Sequence, residues 1–478
     1  MLSRHVFVIL IVLLTHQASL VQGDDNPRLK FHAEPRALPH GAVTHDWTRF
    51  LGPTYNAVST ETKLLKQWSN DDGPKLVWEL RKGTGYTSPA IQGKHLVFVH
   101  RMGDDELVEC LHPETGEPYW SHKYPTQYRD RIGYNNGPRS SPVIDDDRVY
   151  TLGAEGKLYC LHLATGKVLW KRDLIREFDP MPTWFGYGTT PLVYGKHLII
   201  NVGAPEHKNG AAVVAFDKLS GEVVWQCGDQ WGQSYASPIP AKVHGRERLF
   251  VFTGGEKKPP RGAMGPGGLL MVDPAKGKVE ARYPWRSTMW QSVNATTPLV
   301  LNNQVYISAT YELGAAMLNV TQNNAFEVQW KNREFDMHWN QVFHKDGYLY
   351  GFAGRNEPDA SLVCHELKTG KQIWSESITW TLKRKTKGVE RTMRISPYRA
   401  SMLHVDGHFL CLGELGTLMW LDLTPQGHKI ISRTWLFAAT ETWGTPVLSR
   451  GLLYITQNSV DRLNDAPPRL LCYDLRGK

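Results

Sequence analysis

The stretch Cys160-Leu-His-Leu-Ala-Thr-Gly-Lys-Val-Leu-Trp170 decides the fold. A small residue opens it, Thr-Gly stands at its centre, and Trp closes it ten positions on. This reads as a β-hairpin. Glycine supplies the positive φ of the turn, the polar residue before it can bond the backbone, and Trp packs between neighbouring sheets. Cys110–Trp120, Ala215–Trp225 and Cys364–Trp374 superimpose on it without a gap. Such self-similarity is the signature of a repeat architecture.

Upstream of each hairpin a second element recurs, a Ser/Thr-Pro start followed by two hydrophobic runs. The starts are Ser88-Pro89, Ser141-Pro142, Thr190-Pro191, Ser237-Pro238, Thr297-Pro298 and Thr445-Pro446, with degenerate copies at Gln341-Val342 and Ser401-Met402. Eight units at a mean spacing of about 51 residues, each with four short strands, predict an all-β, eight-bladed β-propeller of four-stranded antiparallel blades. The last unit stops at Lys478 before a fourth strand, and Lys75–Leu80 precedes the first start as an orphan strand. Pairing that strand beside Leu470–Asp474 closes the ring and removes both open edges.

The boundaries that follow are a signal peptide over 1–23, an irregular N-terminal arm over 24–74 and the propeller over 75–478. The leader reading rests on Arg4, the apolar run from Val6 to Leu14 and small residues before Asp24. It predicts export to a periplasmic or secreted location, with no stable membrane span and a monomeric chain. The 17 Trp, 43 Gly and 29 Pro suit short strands and frequent turns. A net charge of +8 is mild for 478 residues, so no nucleic-acid role is expected. The densest basic cluster, from Lys383 to Arg394, reads as a solvated loop, and Glu256–Gly268 as an exposed one. Cys110, Cys160, Cys364 and Cys472 occupy one repeat position, too far apart for disulfides, and read as small buried side chains. The units around Met271, Met317 and Trp420 are irregular, and Trp285, Trp330 and Trp435 are candidates for their missing Trp. The four regular Trp are expected to be mostly buried between blades.

An aromatic residue precedes each Ser/Thr-Pro start: Tyr86, Tyr134, Tyr187, Tyr235, Trp290, Trp339, Tyr398 and Trp443. Trp184, Trp231, Arg139 and Arg399 lie close by in sequence. In a propeller these segments surround the axial channel on one face. The twelve residues are the candidate ligand site, suited to stacking on a planar cofactor or a sugar ring and to binding carboxylates through Arg. No catalytic triad, paired carboxylates, phosphate loop or metal-ligand cluster stands out, so catalytic and metal residues are left unassigned.

The repeat resembles the PQQ-like (quinoprotein-dehydrogenase-like) propeller repeat, an Ala/Cys-x-Asp-x-x-Thr-Gly-x-x-x-Trp run, over residues 75–478. The start from Asp46 to Ser59 resembles the leader of exported bacterial PQQ-like propellers. The resemblance implies the eight-bladed fold. For dehydrogenases of the family it also implies PQQ, calcium on carboxylate and amide side chains, a catalytic Asp and often vicinal cysteines. No adjacent cysteines occur here, and no calcium set matches particular positions. The cofactor is therefore left open, with PQQ as the one the family admits. The expected function is a non-catalytic binding protein for a small molecule, a glycan or an exported protein, using the axial aromatic face. The alternatives are a PQQ-dependent alcohol or sugar dehydrogenase and an assembly scaffold like the family's outer-membrane lipoprotein, whose anchor Cys this chain lacks.

Overall fold

The computed structural model of the chain describes residues 26–70, 72–256, 264–386 and 389–477. The expected leader, 1–23, and most of the loop 256–268 lie outside the described residues.

Blade 2 shows how sequence becomes structure. Its strands Val143–Asp145, Arg148–Leu152, Lys157–His162 and Val168–Asp173 form an antiparallel meander. Cys160 pairs with Trp170, and the register shifts directly after it. A bulge adds local twist and re-aims a side chain. The same shift follows Cys110 opposite Trp120, Ala215 opposite Trp225 and Cys364 opposite Trp374. In each case Trp is turned toward the next blade.

The repeat's Trp and its Gly are partners across the blade junction. Trp170 donates from Nε1 to the Lys218 carbonyl (3.1 Å), and a Cβ placed on Gly221 would lie 2.6 Å from its ring. Trp120 meets Gly166 of blade 2 in the same way, and Trp225 meets Gly277 of blade 4. Trp330 fills the slot of blade 5, opposite Met317 and over Gly370. Trp285 and Trp435 do not fill theirs. Ala281 stands opposite Met271 and Ser432 opposite Trp420. Blade 4 thus lacks the Trp where blade 5 lacks the Thr-Gly turn, so both halves of one contact are missing together. The regular Trp pack between blades as expected, with part of each ring left accessible on its outermost strand.

Among the described residues eight blades close one ring. Lys75–Arg81 pairs with Arg469–Asp474, from Lys75 opposite Asp474 to Arg81 opposite Arg469. Trp78 takes the Trp slot of blade 8, opposite Cys472, and is fully covered. Leu29–Phe31 adds a fifth strand outside it. All six cysteines are buried and unbridged, as expected for small core side chains.

Around the channel the Ser/Thr of the Ser/Thr-Pro starts tie successive blades. Ser141 Oγ accepts from the Ser88 amide (3.0 Å), Thr190 Oγ1 from Ser141 (3.3 Å) and Ser237 Oγ from Thr190 (3.0 Å), while Ser88 Oγ donates to the Thr445 carbonyl across the closure (2.7 Å). These bonds satisfy amides at the start of the inner strands, where the proline next in sequence has none to offer.

The N-terminal arm is more ordered than its composition suggests. Trp47 bridges to Ile91, the Ile144 amide donates to the Thr48 carbonyl, and Val58–Ser59 runs parallel to His404–Val405. The arm therefore crosses the far end of the channel from blades 1 and 2 to blade 7. The basic cluster expected as a loop is instead a two-stranded hairpin, Trp380–Thr386 with Val389–Ile395. Its alternating apolar residues Trp380, Leu382, Met393 and Ile395 explain the difference, since they bury one face against the ring.

Candidate functional site

The segments leading into the inner strands converge on an axial cup of about 270 Å³. Its position is set by a simple register. The residues two before each start are Tyr86, Arg139, Gly188, Tyr235, Ala295, Trp339, Arg399 and Trp443. All but Gly188 line the cup. At Gly188 a Cβ would sit 2.8 Å from the Tyr235 ring, so glycine leaves room for that ring. Phe50 of the arm lines the cup as well, and also lines the neighbouring pocket beside the inner strands of blades 2 to 4.

Seven of the twelve candidate residues are brought together here: Tyr86, Tyr134, Arg139, Tyr235, Trp339, Arg399 and Trp443. The other five stand apart. Tyr187 is enclosed between blades, donating to the Val202 carbonyl (3.1 Å), and Trp231 packs in the core of blades 3 and 4. Trp184 lies beneath Arg131 and edge-on to the exposed Trp290. Tyr398 lines a separate pocket at the rim, beside Trp435. Tyr187 and Tyr398 are three residues before their starts. Both therefore fall out of the register of two, and Tyr398 has in addition a positive φ of 51° that turns the chain just before Arg399.

Aromatic planes and guanidinium groups form the wall together. Tyr86 stacks on Trp443 with centroids 5.0 Å apart, and Tyr134 meets Trp443 edge-on at 5.1 Å. Arg139 lies over Tyr86 (5.2 Å) and Arg399 over Trp339 (4.4 Å). Sequence reading missed Phe185, Tyr311, His338, Arg355 and Asn356, which also face the cup. Ala295 and the register of two were legible in the repeat, but these five come from loops outside that register.

Charges behind the wall are mostly neutralised. Arg139 bonds Asp130 (2.6 Å), and Arg399 bonds Glu414 (2.8 Å from Nε) and Glu357 (2.8 Å). Glu414 also accepts from the Trp443 indole (2.5 Å), and Glu441 accepts from the Tyr86 hydroxyl. Burial raises Glu414 even so, with Arg399 and Trp443 opposing. His338 is pulled down to about 3 by burial and by Arg399 and Arg355, so it is neutral near pH 7. Its two nitrogens face the Tyr311 hydroxyl (3.0 Å) and Arg399 (3.4 Å). Arg355 lies over Tyr311 (4.4 Å) and has no carboxylate partner among the described residues. The cup thus presents one unneutralised cation on a wall of π faces.

Such a wall suits a flat or ring-shaped anion. A calcium-dependent quinone site needs carboxylates aimed at the ion as well. Among the described residues no carboxylate lines the cup, and no cluster of three or more His, Cys, Asp or Glu is placed to hold a metal. The donor set therefore accommodates an acidic ring but does not fit a calcium ion.

A family model described as "Outer membrane protein assembly factor BamB" matches residues 104–376. No curated protein matches the chain. Among solved structures, BamB from Moraxella catarrhalis is 16% identical, with a TM-score of 0.51, over 83% of this chain and 97% of its own. A europium-containing methanol dehydrogenase is 12% identical, with a TM-score of 0.60, over 90% and 98%. Quinohemoprotein alcohol dehydrogenase from Comamonas testosteroni is 14% identical, with a TM-score of 0.57, over 91% and 81%. At these identities the likeness shows the fold alone. No helix among the described residues is long and apolar enough to cross a membrane.

Proposed function

Because this chain belongs to the BamB-type family of PQQ-like propellers, we propose that it is an exported, non-catalytic binding protein whose axial cup holds an acidic ring, such as a sugar acid. The observation that carries this reading is Arg355, a guanidinium without a carboxylate partner among the described residues, set among Tyr311, Trp339 and Trp443 around the cup. A carboxylate on the ligand would neutralise Arg355 by a charge-assisted pair while the ring lies against an aromatic face. Export is inferred from the leader-like residues 1–23.

The dehydrogenase reading uses the same wall for a planar acidic quinone. The carboxylates around the cup are already bonded to Arg399, Arg139, Tyr86 or Trp443, which weighs against it. One titration separates the readings. Purified protein is mixed with galacturonate oligomers, with PQQ, and with PQQ plus calcium, and followed by Trp quenching and by dye reduction with alcohols and sugars. Saturable quenching by the sugar acid, lost in Arg355→Gln and without dye reduction, is the expected result. Dye reduction with PQQ would establish the enzyme instead, and no binding of any probe would favour the scaffold.

A further inference from the structure

The hairpin Trp380–Thr386 with Val389–Ile395 belongs to no blade. Its sequence carries Lys383, Arg384, Lys385, Lys387, Arg391 and Arg394 against a single carboxylate, Glu390. The net of five positive charges is more than half of the whole chain's +8. Arg384 stands directly opposite Arg391 in the register. Like charges in that arrangement destabilise a strand pair. Arg384 is drawn over Trp435 (6.0 Å), whereas Lys383, Arg391 and Arg394 are exposed. Lys383 approaches Glu390 only at 3.9 Å, with both side chains 70% exposed, a pair that contributes little. Among the described residues Glu390 is the one carboxylate paired with these cations, so the exposed face of Lys383, Arg391 and Arg394 leaves charge for a partner to neutralise.

Position ties this face to the cup. Only Ser396, Pro397 and Tyr398 separate the last hairpin residue, Ile395, from Arg399 in the cup wall. Arg394, Ile395 and Tyr398 also share the rim pocket beside Trp435. The chemistry of the face narrows the partner. Trp380 is buried beneath Arg433 (5.0 Å), and none of the exposed large hydrophobic residues falls on the described part of the hairpin. A single-stranded nucleic acid would find rings only at Tyr398 and Trp435 in the rim pocket, off the cationic strands, and a lipid surface would find no apolar wedge. An acidic polysaccharide requires neither.

We propose that the hairpin is the second contact for an acidic polysaccharide whose terminal sugar acid occupies the cup, which rests on the cup reading above. Binding is compared by calorimetry on the full mature chain with trigalacturonate, polygalacturonate, neutral dextran, oligo(dT) and phosphatidylglycerol vesicles. Two linked contacts should make polygalacturonate bind about tenfold or more tighter than the trimer. That excess should vanish in Lys383→Gln/Arg391→Gln/Arg394→Gln and at about 0.5 M salt, with trimer affinity unchanged in the variant. The proposal is overturned if the polymer binds no tighter than the trimer, if the triple variant keeps the excess, or if oligo(dT) or vesicles bind as tightly. A trimer that fails to bind, with the polymer still held through the hairpin, strikes the cup reading instead. Arg355→Gln provides the matching control, losing the trimer first.

Discussion

Trp170 and Gly221 show what the repeat motif does at the scale of one residue. The glycine has φ +76°, a region in which L side chains are strained, and the indole ring occupies the space a Cβ would need. Gly221→Ala should cost about 2–4 kcal/mol in urea unfolding, from strain and overpacking together. Trp170→Ala, half-buried, should cost about 2–3 kcal/mol. The double variant should lose less than the sum of the two, because removing the ring relieves the clash. Strict additivity would show that the two residues do not share a contact. Lys82 carries a different message. It is buried at the ring closure, bonding the Gly83 and Gly85 carbonyls and Asn458 Oδ1, and burial lowers it to about 7. An unfolded lysine titrates near 10.4, so between pH 7 and 10 the unfolded chain binds the extra proton. Stability attributable to Lys82 is therefore lowest below pH 7 and rises toward pH 10. Urea midpoints measured from pH 6 to 9 should rise more steeply for the wild type than for Lys82→Met. Parallel pH curves would remove Lys82 as the cause.

Among the elements, the closing strand Lys75–Arg81 is the most exacting. Trp78 has no exposed surface, lies over Gly116 of blade 1 and donates to the Pro113 carbonyl (2.9 Å). Trp78→Ala should cost about 3–5 kcal/mol, more than Trp170→Ala, because its ring is wholly covered. Equal losses by urea denaturation would contradict that ranking. Elements were legible in the sequence wherever one local signal forced them. Thr165-Gly166 forces a turn, Trp170 marks an outer strand, and an orphan strand at one end calls for a partner at the other. The arm and the basic hairpin were not legible, since Trp47 finds Ile91 and Arg384 finds Trp435 only after the ring has formed. The cup was half legible. Tyr86, Tyr235, Trp339 and Trp443 announce themselves as aromatics at one register. Arg355 and His338 come from loops with no repeat pattern, and the pairing of Arg399 with Glu414 joins residues fifteen apart through a turn.

For the whole molecule, the six thiols test how tightly the ring is packed. All are buried, and burial pushes Cys110 to about 12 and Cys160 to about 11. A thiol reagent at pH 8 should label none of them in the native protein and all six in guanidinium, and reductant should leave the melting temperature unchanged. Labelling of the native protein at Cys411 would show blade 7 opening.

The ring closure also bears on how the protein is made. Arg469–Asp474 lies between Leu452–Gln457 and Lys75–Arg81, so blade 8 joins parts of the chain about 390 residues apart in sequence. Until those last residues emerge, blade 8 is unfinished and Lys75–Arg81 waits with an open edge. Loop closure over that length is slow, and an unpaired strand edge recruits other chains. Synthesis that stops short of Arg469 should therefore yield aggregate rather than a seven-bladed protein. The final strand works as a completeness check on each molecule.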